Sequence, residues 1–190
     1  MPKLILASAS QRRLDLLSQI NIKPDLVIAS DIDEAEIKRE KPRDYAIRVA
    51  QDKAQKIAKD YPNDLVLAAD TIVLCSNKIL HKPETEVEVR ECLKTLSGKS
   101  HRVITAVSLI VAGEKIINKC TETRVVFKRL SLEEINSYVQ SGEGIGKAGG
   151  YSIQGFAGAF VIHIFGSYTN IVGFPLYEVR NLLIGNGYRI

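Results

Sequence analysis

The segment Leu65-Val66-Leu67-Ala68-Ala69-Asp70-Thr71-Ile72-Val73 carries the strongest architectural signal in the chain. Its first five residues form an unbroken apolar run of buried-strand type, which the β-branched Thr71-Ile72-Val73 prolongs before a turn at Ser76-Asn77-Lys78. An aspartate after such a run cannot be buried mid-strand at low cost unless it is paired. Asp70 is therefore expected at the carboxyl end of its strand, where open α/β sheets bind their ligands.

Towards the amino terminus, Leu4 to Ala7 is a second buried-type strand running into Ser8-Ala9-Ser10. Ser10 is a suitable N-cap for a helix that carries Leu14, Leu17 and Ile20 inward. Leu26 to Ala29 reads as a short strand, followed by the acidic stretch Asp31-Ile32-Asp33-Glu34. Pro42 then opens an amphipathic helix to about Asp60, with Ala46, Ile47, Ala50, Ala54, Ile57 and Ala58 along one side.

Towards the carboxyl terminus, Thr85 and Glu88 form a capping box for a helix through Leu96 that stops at Gly98. Two long strands, Val103 to Ala112 and Lys115 to Phe127, are expected to join as a hairpin at Gly113-Glu114. Ser131 and Glu134 cap a further helix that ends near Gly142. A glycine-rich loop, a strand from Ala159 to Phe165 and a last helix opened by Pro175 complete the chain. Strands and helices alternate without an internal repeat or a linker, which predicts one α/β domain over 1–190 built on a mixed sheet.

At 190 residues, with 45% hydrophobic and 25% charged residues, the chain has the balance of a globular protein. Its net charge of +4 suits an anionic small molecule better than a nucleic-acid duplex, and 6% aromatics leave few platforms for stacking bases. Cys75, Cys92 and Cys120 are far apart and odd in number, which argues against a disulfide framework and a structural zinc site. The opening apolar run is too short for a signal peptide, and no stretch is long enough to span a membrane. A reducing cytoplasmic location is the expectation.

Several groups carry chemical potential. In Ser8-Ala9-Ser10-Gln11-Arg12-Arg13, two hydroxyls and two guanidinium groups stand where a strand gives way to a helix N-terminus, the composition of an anion site. An ordinary capped helix with solvated arginines would have the same composition. Asp70 and Glu34 could together serve a hard divalent cation, which needs one or two carboxylates plus substrate phosphates. For Asp33 and Glu34 a solvated acidic loop competes with that role. Lys53 lies at the edge of the apolar stripe of its helix, either snorkelling to water or aimed at phosphate. Lys82, in His81-Lys82-Pro83, poses the same choice.

Nine of the thirteen glycines fall between Gly142 and Gly173. The segment Gly146-Lys147-Ala148-Gly149-Gly150-Tyr151-Ser152-Ile153-Gln154-Gly155 has a backbone that can approach a ligand closely, and its amide can both donate to and accept from a base edge. There is no P-loop pattern. The spacing Gly144, Gly146, Gly149 follows a predicted helix rather than a strand and so fails the dinucleotide context. His81, His101 and His163 have no metal-ligand spacing.

Taken together, LILASASQRR at the start, AADTIV around Asp70, HKP around Lys82, LSGKSHRVITAV from Leu96, GKAGGYSIQG and GSYTNIVGFPL resemble the Maf family of nucleotide pyrophosphatases. The resemblance spans nearly the whole chain, in order. It implies an elongated mixed α/β fold with two lobes around a central cleft and a divalent metal, Mg²⁺ foremost with Mn²⁺ as the alternative. The implied reaction is hydrolysis of a nucleoside triphosphate to the monophosphate and pyrophosphate.

Family positions carry over to Ser8, Arg12, Arg13, Glu34, Lys53, Asp70, Thr71, Lys82 and Gln154. Asp70 is the implied proton acceptor, Glu34 and Asp70 the implied metal ligands, and Ser8, Arg13, Lys53 and Lys82 the implied phosphate binders. Arg12, Thr71 and Gln154 match the subgroup acting on dTTP and UTP; the sibling group tends to have tryptophan, glutamine and glutamate there. Gln11 departs from a common proline, and His81 from a frequent acidic or small residue. Family habit implies a homodimer, and a non-catalytic nucleotide sensor of cell division is the rival class.

Overall fold

The structure, a computed structural model, describes residues 2–112 and 115–189. The Gly113-Glu114 junction expected to close a hairpin lies outside the described residues. Among the described residues seven strands, β1 (Leu4–Ala7), β2 (Leu26–Ile28), β3 (Leu65–Cys75), β4 (Lys78–Leu80), β5 (Ser100–Val111), β6 (Lys115–Phe127) and β7 (Val161–Phe165), form one sheet of order β2-β1-β3-β5-β6-β7, with β4 paired to β3. The helices are α1 (Gln11–Gln19), α2 (Pro42–Ala58), α3 (Glu86–Leu96), α4 (Leu132–Ser141), α5 (Tyr168–Val172) and α6 (Leu176–Gly185). The pairs β1–β2 and β1–β3 are parallel, whereas β3–β4 and β6–β7 are antiparallel, so the sheet is mixed as expected.

The chain divides into two compact units. One comprises residues 1–70, 105–121 and 173–190, the other residues 71–104 and 122–172. The first is organised by the parallel strands β1 and β3, whose Ile5, Ala7, Val66 and Ala68 pack on Ala54, Ile57 and Ala58 of α2 and on Ile110. Small alanines on α2 let the helix approach the sheet closely, and each larger aliphatic side chain buried there contributes about 1.5–3 kcal/mol. The second unit has an aromatic core. Phe127, Tyr151, Phe160 and Tyr138 meet edge-on or tilted, with His101 set between Phe127 and Tyr151 at centroid distances of 5.0 and 5.4 Å.

Local departures from the sequence reading have identifiable causes. α1 buries Leu16 and Leu17, leaving Leu14 only half-buried, and Ser10 holds its N-cap position without a side-chain bond. The turn Ser76-Asn77 has left-handed backbone at both residues, φ 50° and 62°, and closes a two-residue hairpin that creates β4, a strand too short to announce itself in sequence. Residues 156–160 form a 3-10 helix, so β7 starts at Val161 rather than Ala159. The capping boxes at Thr85/Glu88 and Ser131/Glu134 are both formed.

Asp70 requires the main correction. It does not end its strand: β3 continues five residues beyond it to Cys75, and Asp70 is only 3% exposed. The exception allowed for a paired carboxylate is the one realised.

Candidate functional site

The pairing partner of Asp70 comes from α2. Tyr45, Val49 and Lys53 recur at four-residue spacing and are all buried, so the face that packs on the sheet also carries the lysine inward. Lys53 Nζ donates to Asp70 Oδ1 at 2.8 Å and lies 2.7 Å from Glu34 Oε1. With only 7% of the residue exposed, the snorkelling reading of Lys53 does not hold. One ammonium thus joins two carboxylates from distant parts of the sequence.

Glu34 is brought to this point by α2 as well. Tyr45 Oη donates to the Glu34 carbonyl at 2.8 Å. Arg48 donates through Nε and Nη2 to the two carboxylate oxygens of Glu40, at 2.7 and 2.8 Å, and through Nη2 to the Ala35 carbonyl at 3.0 Å. This fork ties Ala35 and Glu40, within the irregular segment between β2 and α2, to the helix and raises the Arg48 pKa, through the Glu40 hydrogen bond above all. The Tyr45 hydroxyl is pushed up to about 12, first by burial and then by the negative charges of Asp70, Glu34 and Glu36. Sequence reading missed Tyr45 and Arg48. The spacing 45, 49, 53 was the available signal.

The anion-site segment also has a defined geometry. Ser8 is buried, and its Oγ accepts from the Ser10 N–H at 3.2 Å and from Arg13 Nη1 at 3.0 Å. Arg13 Nε donates to the Gly173 carbonyl at 3.0 Å, and the guanidinium lies over the Phe174 ring, 5.9 Å from its centroid. Burial lowers the Arg13 pKa; Asp70 opposes this, Arg12 adds to it and Glu34 opposes it more weakly. Ser8, Arg12, Arg13, Glu34, Lys53 and Asp70 therefore share one unit, and the charges of the last four act on a common region. The β1–β3 register pairs Leu6 with Leu67. Ser8 directly follows the end of β1, and Asp70 lies three residues beyond Leu67 on β3.

Thr71, Lys82 and Gln154 belong to the other unit. Thr71 follows Asp70 directly but points to the opposite face of β3. Lys82 is exposed and lines an open pocket of about 430 Å³ between β4 and α3, together with His81, Glu84 and Cys92. Gln154 is exposed on the turn before the 3-10 helix. In the glycine loop, Gly149 has φ +69° and lies where a Cβ would come within 2.8 Å of Val73, so backbone conformation and close packing both call for glycine.

No group of three or more His, Cys, Asp or Glu side chains suited to a metal ion occurs among the described residues. Two carboxylates nevertheless converge on a single cation, the Lys53 ammonium, which stands in for a positive ion between hard oxygen donors. That donor set fits Mg²⁺, which binds through one or two carboxylates when phosphate oxygens complete its shell. No helix among the described residues is long and apolar enough to cross a membrane.

The profile of the family described as Maf-like protein matches residues 3–185. A protein of Caulobacter vibrioides named dTTP/UTP pyrophosphatase is 52% identical over 99% of this chain and 97% of its own. A protein of Maricaulis maris with the same name is 52% identical over 100% of this chain and 90% of its own. Among solved structures, a HAM1 protein from Coxiella burnetii superposes with a TM-score of 0.52 over 97% of this chain and 100% of the other, at 14% identity, a likeness of fold alone.

Proposed function

The chain belongs to the Maf-like proteins, and from that membership we propose that it hydrolyses dTTP and UTP to the monophosphate and pyrophosphate. The observation that carries the reading is the buried Lys53 ammonium shared by Asp70 and Glu34, with Arg13 acting on the same charges. Buried ionic groups of this kind are weak devices for stability and cluster at functional sites.

In this reading a water oxygen bonds to the α-phosphorus, the bond to the departing pyrophosphate breaks, and the water proton passes to Asp70. Phosphoryl chemistry of this kind depends on positioning and charge neutralisation more than on covalent catalysis. Arg13 and Lys53 neutralise phosphate oxygens, and Ser8 holds the Arg13 fork in place. Lys82 adds a further cation. When a divalent cation is bound, Glu34 and Asp70 would hold it, and it would acidify the water and screen the phosphates. Asp70 is 3% exposed and held by Lys53 at 2.8 Å, which fixes its carboxylate in place.

Base selection in this reading falls to Arg12, Thr71 and Gln154. The amide of Gln154 can donate to O4 and accept from N3–H of uracil or thymine, an order of acceptor and donor that cytosine reverses, whereas guanine repeats it at O6 and N1–H and differs by its second ring and 2-amino group. A base that leaves such a group unpaired loses about 1–3 kcal/mol, or roughly tenfold to hundredfold in selection. Incubation with dTTP, UTP, CTP, GTP and 7-methyl-GTP in Mg²⁺, with pyrophosphate detection, tests the whole reading. Preference for dTTP and UTP, lost in excess chelator, is the expected result. Preference for a guanine nucleotide would overturn the substrate assignment, and full activity in chelator the metal.

A further inference from the structure

Gln154 sits on a turn that two side chains from α4 and its exit hold at both ends. The turn is closed by Gly155 N–H donating to the Ser152 carbonyl at 3.2 Å. On its leading side, the Ser152 N–H donates to Tyr138 Oη at 3.0 Å. On its trailing side, the Phe156 N–H donates to Glu143 Oε2 at 2.9 Å. Tyr138 is fully buried, and its ring also packs against Phe156 at a centroid distance of 5.9 Å. One tyrosine therefore touches both flanks of the turn, and one carboxylate fastens its exit. The backbone at Glu143 is itself anchored by its N–H, which donates to Ser141 Oγ at 3.3 Å.

The glycine at 155 shows how close this fastening is. A Cβ at that position would lie 2.1 Å from Glu143 Oε2 and 2.7 Å from its Cδ. Gly155 has φ −109°, so conformational freedom is not what requires glycine there. The carboxylate is pressed against the backbone of the residue after Gln154, and only a residue without a side chain leaves room for it.

We propose that Glu143, with Tyr138 beneath it, is a positioning residue for substrate selection: it fixes the turn so that the Gln154 amide is presented in one orientation. The inference rests on the reading of Gln154 as the group that meets the base. An exposed amide on a loose turn would sample many orientations and lose most of its ability to tell one base edge from another. Because such a contact is made equally in the ground and transition states, loosening it acts on KM rather than kcat.

The test measures kcat/KM for dTTP and CTP in the wild type, Glu143→Ala, Glu143→Gln, Gln154→Ala, Gly155→Ala and the doubles Glu143→Ala/Gln154→Ala and Glu143→Ala/Gly155→Ala. Glu143→Ala is expected to lower the dTTP/CTP ratio about tenfold through KM for dTTP, and Glu143→Gln, which keeps an acceptor oxygen, to restore most of it. The double with Gln154→Ala should be no less selective than Gln154→Ala alone. Gly155→Ala should lower the ratio in the wild-type background and do little once Glu143 is alanine, because the clash is then gone. That comparison needs no assumption about how well any single variant folds. A normal ratio in Glu143→Ala, beside a collapsed one in Gln154→Ala, would overturn the positioning role alone. An unchanged ratio in Gln154→Ala would remove the base-reading role and this inference with it.

Discussion

Asp70 can lie in the middle of a buried strand because Lys53 reaches it, and Lys53 can be buried because two carboxylates share its charge. Removing the cation takes from Asp70, at 3% exposure, the ammonium hydrogen-bonded to it. Lys53→Met is accordingly expected to cost about 3–5 kcal/mol in urea unfolding; a loss below about 1 kcal/mol would mean that the three groups are not coupled in solution. Asp70→Asn keeps the shape and a hydrogen-bond acceptor for Lys53, so its main effect should be on turnover. A fall of about 10²–10⁴ in kcat with KM changed only a few-fold is expected, and steady-state kinetics on dTTP would check it.

His101 makes a different residue-scale prediction. Burial lowers its pKa from the ordinary 6.5 to about 4, and among the described residues its Nδ1 has no hydrogen-bond partner while Nε2 meets Tyr151 Oη at 2.8 Å. Between these two values the unfolded chain takes up a proton that the folded one refuses. The stability is therefore fully present above pH 6.5 and is lost as pH falls towards 4, by about 3 kcal/mol in all. Urea midpoints from pH 7.5 to 4 should show this loss in the wild type and a shallower slope in His101→Gln.

At the scale of elements, local signals acted where local chemistry decides. The Thr85 and Ser131 capping boxes, Pro42 at the head of α2 and the apolar runs of β1 and β3 were legible because each is settled within a few residues. Thr85→Ala should cost about 1 kcal/mol by removing the acceptor of the Glu88 N–H, measurable as a shift in the urea midpoint. What sequence could not supply were the tertiary decisions. These include the continuation of β3 past Asp70, which depends on a lysine seventeen residues upstream, the choice of Leu16 over Leu14 in α1, and the binding of the Glu34 segment by Tyr45 and Arg48. The hairpin at Ser76-Asn77 lay between, since its turn was visible and its three-residue second strand was not. Residues at φ 50° and 62° favour Asn-Gly, so Ser76→Asn with Asn77→Gly is expected to be neutral or stabilising by up to about 1 kcal/mol. A loss of stability in thermal melts would contradict that turn geometry.

At the scale of the molecule, the candidate residues are shared out as the chain is. Ser8, Arg12, Arg13, Glu34, Lys53 and Asp70 belong to one unit, and Thr71, Lys82 and Gln154 to the other. The peptide bond between Asp70 and Thr71 is one of four places where the chain passes from unit to unit, the others following residues 104, 121 and 172. Three of the four fall inside β3, β5 and β6, so continuous strands rather than linkers make the passage. Neither unit is thus written as one uninterrupted stretch of gene. A fragment ending at Asp70 lacks residues 105–121 and 173–190 of its own unit and should show no cooperative melt by circular dichroism. Shuffling between relatives meets the same constraint: a crossover that imports 71–104 without 122–172 splits one unit between two parents. Inheritance by recombination would then favour exchange of the whole coding sequence over exchange of its parts.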